Sequence, residues 1–470
     1  MPISSNTYRV LLALAILIGF GIILNPWIVR GDGSSDPVGD GVLTAFGVAG
    51  VAWCGVACLV RLRSERAAGH DEPAVTPDPP EAGPVTWTEL ALHLVVVALW
   101  VAMFWRRWSD PNLSTDDNIY IALSRNWQVT RDNLFAPFAE HLCPVTRLWT
   151  WLVCSVVDEQ HRARALATSG LVLFAATFPP LAVFVRREWG SPALSLIAVS
   201  LFALTRVHDE VVMWYSASQW CWSLLLLLSS LLVAQSNASR GSTPAVAVCV
   251  ILAAVGPFFY LVGLLVGPVT AVYLACSRRG SDARAIPIWR SALPLAGTAA
   301  FLAVFVPMRL VGVLSHASYG GTLAIHSVAP LRGVLYGLRS TADLLMLRNL
   351  GSDYHSLLSR AVYAALFFAA VFGVVTLIRR TNSPRPVLVG CVLVLLSYAI
   401  TLPFRAWVQY ADFVEWTRYQ LFPQLGVVFV VCGAVVTWCS RWLTGPELSP
   451  RGVCFVLLLA CIQFAIHAIT

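Results

Sequence analysis

Long apolar runs almost free of charge recur through this chain, and no other feature limits its fold so strongly. They fall near 8–24, 41–60, 87–105, 165–185, 191–205, 218–235, 291–311, 361–378, 386–402, 422–439 and 452–467, with two shorter ones packed into 244–276. A helix needs about 20 apolar residues to cross the hydrocarbon core of a bilayer, where every backbone polar group must be satisfied within the chain. The composition agrees: 57% of the residues are hydrophobic and 12% are charged, against about 25% charged in an ordinary soluble domain. The expected fold is an all-α polytopic integral membrane protein with about 13 transmembrane helices. The segment 244–276 is too long for one span, and Gly256-Pro257 with Gly263 breaks it near its centre, so two short helices meeting at an external turn are expected there.

The charge pattern sets an orientation. The net charge of +7 comes from arginine, as the chain holds no lysine. Short loops rich in arginine (Arg186-Arg187, Arg240, Arg278-Arg279 with Arg284, Arg379-Arg380 with Arg385, and Arg441) alternate with segments richer in acids and aromatics. With a cytoplasmic N-terminus that alternation follows the positive-inside rule, and it removes the need for a nucleic-acid face to explain the basic balance. Residues 1–60 form an N-terminal transmembrane hairpin whose first run has no cleavage site after it. Residues 61–86 (RLRSERAAGHDEPAVTPDPPEAGPVT) form a disordered cytoplasmic linker, and 87–312 form a transmembrane core with an external acidic loop at 106–164. Residues 313–470 form a C-terminal transmembrane region with external loops at 313–360 and 402–420. Of the twelve cysteines, most lie within apolar runs and read as small apolar residues. A disulfide is considered only between Cys143 and Cys154.

The segment from Ser114 to Trp149 (STDDNIYIALSRNWQVTRDNLFAPFAEHLCPVTRLW) is the longest polar stretch that still reads as folded. Ser114 and Thr115 suit a helix N-cap, and Asp116 and Asp117 fall in its first turn. The pattern then gives an amphipathic helix lying along the membrane surface, with Ile119, Tyr120, Leu123 and Trp127 on one face and Ser124, Arg125 and Gln128 away from it. A turn follows at Arg131-Asp132-Asn133. Glu140 and His141 then precede Pro144, a residue suited to the first turn of a second helix, PVTRLWTWLVCSVV. The alternation sends three more segments to the same face: HDEVVMWYSASQW at 208–220, 313–360, and LPFRAWVQYADFVEWTRYQ at 402–420. A site built from external segments at one end of a helical bundle follows.

An outward span, the acidic pair Thr115-Asp116-Asp117 at its end, two interfacial helices and then the next span together resemble the first external loop of GT-C-fold glycosyltransferases. That superfamily includes protein mannosyltransferases, aminoarabinose transferases and the RgtA/B/C/D-like bacterial membrane proteins. FAPFAEHLCPVTRLW looks like an F-x-P-x-x-EH-x-x-P pattern of related proteins, and Thr417-Arg418-Tyr419 entering a span with Pro423 is similar to their Arg-Tyr motif. The resemblance runs from about Trp87 to the C-terminus. The chain departs from the family in its two extra leading spans and in having no soluble C-terminal domain.

The resemblance implies a bacterial inner-membrane enzyme that moves a sugar, with inversion, from a polyprenyl-phosphate donor dissolved in the membrane lipid to an acceptor on the extracytoplasmic face. A carboxylate within reach of the acceptor hydroxyl takes its proton as the anomeric carbon is attacked, and Asp116 or Asp117 is the candidate. Arginine suits the departing phosphate because its planar fork binds two oxygens and keeps its charge, which selects Arg405 and Arg418, beside Tyr419. Glu140, His141, Asp209 and Glu210 are candidates to shape the acceptor site or to hold a divalent metal through oxygen and imidazole ligands. Each has a plainer role: first-turn acids for Asp116 and Asp117, a packed interfacial histidine, solvated loop acids, and arginines that snorkel to the interface. A flippase or transporter and a non-catalytic assembly protein are the alternative functions. Transport calls for mid-span ionisable residues or matching repeats; the sequence displays neither.

Overall fold

The computed structural model describes residues 85–109, 115–136, 141–205, 208–237, 243–277, 288–314, 372–378, 384–405 and 417–443, with isolated positions besides. Among these residues the only regular structure is helical, and six stretches are long and apolar enough to cross a membrane. The chain is an all-α membrane protein. The expected spans at 8–24, 41–60 and 452–467 and the linker lie outside the described residues, apart from isolated positions, as does most of the one at 361–378.

Helix α1, Trp87–Ser109, starts where the Glu89 amide donates to Thr86 Oγ1 at 3.2 Å. Leu92, Val96, Trp100 and Phe104 recur one turn apart on its buried face. Trp100 packs on Phe174 and Phe178, with ring centroids 5.5 and 5.4 Å away. Leu94 and Val95, on the other side, are exposed and form a lipid-facing stripe. The following elements are α2 (Thr115–Leu123), α3 (Trp127–Asn133), α4 (Pro144–Val156), α5 (Glu159–Ala175) and α6 (Phe178–Trp189). The span expected at 165–185 lies within one membrane-length stretch, Glu159–Trp189, in which α5 and α6 are joined at 176–177. Pro179 and Pro180 occupy the first turn of α6, where their missing N–H groups are harmless, but they cannot continue the hydrogen-bond ladder of α5.

Helix α7, Pro192–Ala203, is capped by Ser191, whose Oγ accepts from the Leu194 amide at 3.3 Å, and all of its residues are buried. At about 1.5 Å per residue it is a core helix, too short to span. The short α8 (Asp209–Met213) and a 3-10 turn, Tyr215–Ser218, lead into α9, Gln219–Asn237. The 244–276 segment divides as expected: α10 (Thr243–Val255) and α11 (Val266–Cys276) flank two tight turns, Gly256–Phe258 and Leu261–Leu265. Helix α12 (Ile288–Leu314) lies against both. Helices α13 (Pro384–Arg405) and α14 (Leu421–Leu443) cross at Gly390 and Gly426, where a Cβ on either would run into the other's carbonyl oxygen. Small residues allow such backbone approach between apolar helices.

At the end of the bundle holding the start of α1 and the end of α6, buried carboxylates meet arginines. Arg186 meets Glu89 at 3.2 Å with both nearly inaccessible, and Arg385 meets Glu188 at 3.2 Å. Glu188 Oε2 also accepts from the Tyr273 hydroxyl at 2.8 Å and from Gln235 Nε2 at 3.0 Å. Arg186 and Arg385, expected in short arginine-rich loops, lie in α6 and in the first turn of α13, and each neutralises a buried carboxylate that local sequence pattern does not reveal.

Candidate functional site

The opposite end gathers α2, α3, α4, α8 and the turns at 215–218 and 417–420. Asp116 and Asp117 lie in the first turn of α2, as expected, but their environments differ. Asp117 is fully buried and its Oδ1 accepts the Ser216 amide at 2.7 Å, joining segments 99 residues apart. Asp116 is half-buried. Further along α2, the buried Tyr120 directs its hydroxyl toward Gln219 Oε1 at 3.5 Å. Burial pushes the Tyr120 phenol well above its ordinary pKa, so it stays protonated as a donor.

The helix read through 128 ends instead at Leu123, and the turn expected at 131–133 is helical. Asn126 restarts the chain as an N-cap, its Oδ1 accepting from the Val129 amide at 2.9 Å. That interruption changes the faces: Ser124 is buried and Trp127 is half-exposed, packed at a tilt against Trp151 of α4 with centroids 5.0 Å apart.

Pro144 opens α4 as expected. The helix turns Thr146, Arg147, Thr150, Val153 and Cys154 inward and leaves Leu148, Leu152 and Val156 outside. Thr150 Oγ1 and the Tyr215 hydroxyl are 2.7 Å apart, so α4 is tied to the same turn that Asp117 holds. No disulfide joins Cys143 and Cys154, which overturns the disulfide expectation. One precedes α4 and the other lies in its last turn, about 16 Å further at the helical rise, well beyond disulfide reach.

Glu210, in α8, pairs with Arg418 across 208 residues: Arg418 Nη1 donates to Oε1 at 2.9 Å, and the Arg418 amide donates to Oε2 at 3.0 Å. The guanidinium also lies over the Trp214 ring at 4.5 Å and the Tyr419 ring at 4.8 Å. An aromatic series continues from there. Tyr419 touches Trp220 at 5.5 Å, Trp220 touches Tyr260 at 5.1 Å, and Tyr260 lies 3.9 Å from His141, between ring centroids. Asp117, Glu210, Arg418 and Tyr419 are therefore linked through the segment 209–220, with His141 joined through the aromatic rings. Asp209 shares the first turn of α8 with Glu210. Glu140 and the Arg405 side chain lie outside the described residues, although Arg405 closes α13.

Among the described residues no three His, Cys, Asp or Glu side chains gather as a metal site. His141 packs against the Tyr260 ring and Glu210 is engaged by Arg418. Ser216, Gln219, Tyr260 and Arg147 are site residues that sequence reasoning passed over. For Arg147 a signal was present, a lone arginine within the otherwise uncharged PVTRLWTWLVCSVV. Compared with known protein families, curated proteins and solved structures, the chain finds no match.

Proposed function

We propose that the chain is a membrane glycosyltransferase of the GT-C-like inverting kind, moving a sugar from a polyprenyl-phosphate donor to an acceptor at the extracytoplasmic face. The observation that carries this reading is the Asp117–Ser216 contact. It fixes the acidic start of α2 against the segment whose Glu210 holds Arg418, so acids and an arginine from three distant segments share one end of an apolar bundle.

In the proposed reaction the acceptor oxygen bonds to the anomeric carbon as the bond from that carbon to the phosphate oxygen breaks, and the acceptor proton passes to a carboxylate. Asp116 is the base in this scheme, because it is half-buried while one oxygen of Asp117 is committed to the Ser216 amide. Asp117 positions α2. Arg405 and Arg418 are the arginines that the family resemblance assigns to the departing phosphate.

The test is transfer from a panel of polyprenyl-phosphate sugars by the purified protein. Asp116→Asn should insert like the parent, since Asn suits a helix start as well as Asp, and should lose about 10²–10⁴ in rate, the usual contribution of a general base. Asp117→Asn keeps an oxygen for the Ser216 amide and should lose less, whereas Asp117→Ala should also cost about 1–3 kcal/mol of stability by orphaning that buried donor. Full activity in both Asn variants would make the acidic pair purely structural.

A further inference from the structure

Arg147 is 1% exposed, and its Nε and Nη1 meet no hydrogen-bond acceptor among the described residues. Arg186, Arg385 and Arg418 each meet a carboxylate; among the described residues Arg147 has none. A guanidinium keeps its proton even where burial lowers its pKa, as it does here. The chain therefore holds a positive charge away from water with no negative charge opposite it, which is unfavourable by itself.

The surroundings of this charge are donors. The groups close enough to act on it are Tyr120 of α2, whose phenol burial keeps protonated, and Cys143, just ahead of α4. Thr146, the preceding residue, is buried as well, and its Oγ1 also lacks a partner. Tyr120 lies in turn within electrostatic reach of Tyr260, and Trp220, packed against the Tyr260 ring with centroids 5.1 Å apart, has a buried indole N–H without an acceptor. None of these side chains is an acid. Water accepts from such donors but brings no charge. A doubly charged phosphate or sulfate brings more charge than one arginine offsets, and its extra oxygens need donors of their own. A halide carries one charge, accepts hydrogen bonds from any direction and is a single atom not much larger than a water molecule.

We propose that Arg147 binds a chloride ion between α2 and α4, and that this ion is the counter-charge on which the packing of the two helices depends. The site is independent of the sugar-transfer reading, because it requires no donor, no acceptor and no turnover. The full chain is melted in a neutral detergent at constant ionic strength while sodium gluconate is exchanged for sodium chloride and, separately, for sodium bromide. Gluconate is a monovalent anion too large for a site enclosed by side chains so deeply buried. The parent's Tm should rise with chloride, as ligand binding to the folded state requires, and bromide should act in the same way.

In gluconate, Arg147→Gln should melt at or above the parent, because an uncountered charge has gone. It should gain nothing from chloride, so chloride closes or reverses the gap between the two. Arg147→Lys keeps the charge and loses the planar fork; its Tm should still rise, but only at several-fold higher chloride. A parent Tm that is the same in gluconate and chloride overturns the site. So does an equal rise in Arg147→Gln, which marks a general salt effect, or, should that variant not fold, a chloride response in Arg147→Lys indistinguishable from the parent's.

Discussion

At the scale of single residues, His208 gives the site end a defined response to pH. Its ring packs against both Phe174 and Phe202, with centroids 4.8 and 4.7 Å away. Burial pulls its pKa from the ordinary 6.5 down to about 3, partly offset by the Phe202 backbone. The folded protein therefore keeps His208 neutral while the unfolded chain protonates it below pH 6.5. The stability tied to this group is complete above that pH and falls as the pH drops toward 3, by about 1.4 kcal/mol per unit. Between pH 7 and 5 the parent should lose roughly 2 kcal/mol through this histidine. His208→Phe, which keeps a ring against the two phenylalanines, should show a shallower fall in Tm over that range. Identical slopes for parent and variant would remove His208 as the source. The histidine at 208 is plain in the sequence, but its acid sensitivity is not, because Phe174 and Phe202 come from two other helices.

Among elements, the α10–α11 hairpin depends on one close backbone approach. A Cβ added at Gly263 would run into the carbonyl group of Gly256 and the nitrogen of Pro257, and backbone cannot step aside as a side-chain tip can. Gly263→Ala should destabilise by about 1–3 kcal/mol, the usual penalty for overpacking. Gly373, within the helical residues 372–378, has open space around its position, so Gly373→Ala should be neutral or stabilise by up to about 1 kcal/mol. Chemical unfolding of the two variants in one detergent separates them; equal effects would mean that the 256–263 turn yields. This hairpin was legible because its signals are local: Gly256-Pro257 and Gly263 interrupt an apolar run, and Pro144 announces α4 in the same way. The α2–α3 region was misread for a related reason. Its apolar spacing continues smoothly through Trp127, while the break is made by Asn126, a single cap whose effect is to swing Trp127 out onto Trp151.

For the whole molecule, apolar runs disclose the helices and their polar ends, but not which ends pair. Asp117 with Ser216 and Glu210 with Arg418 join positions 99 and 208 residues apart, and no period or cap links such residues. The arginines at the far end show the same limit, since Glu89 and Glu188 neutralise Arg186 and Arg385 across helices. Ion pairing leaves the orientation argument to the loops that remain arginine-dense, Arg278-Arg279 with Arg284 above all. These loops follow α11, whose Tyr273 belongs to the Glu188 network, whereas the acidic start of α2 belongs to the other end. A cytoplasmic arginine end therefore requires an external acidic end. With the accessible native cysteines replaced, Ser114→Cys should react with an impermeant thiol reagent in intact cells, and Ser281→Cys should react only after permeabilisation. The reverse pattern would turn the bundle over, place Asp116 on the cytoplasmic face, and leave the proposed reaction without its external acceptor.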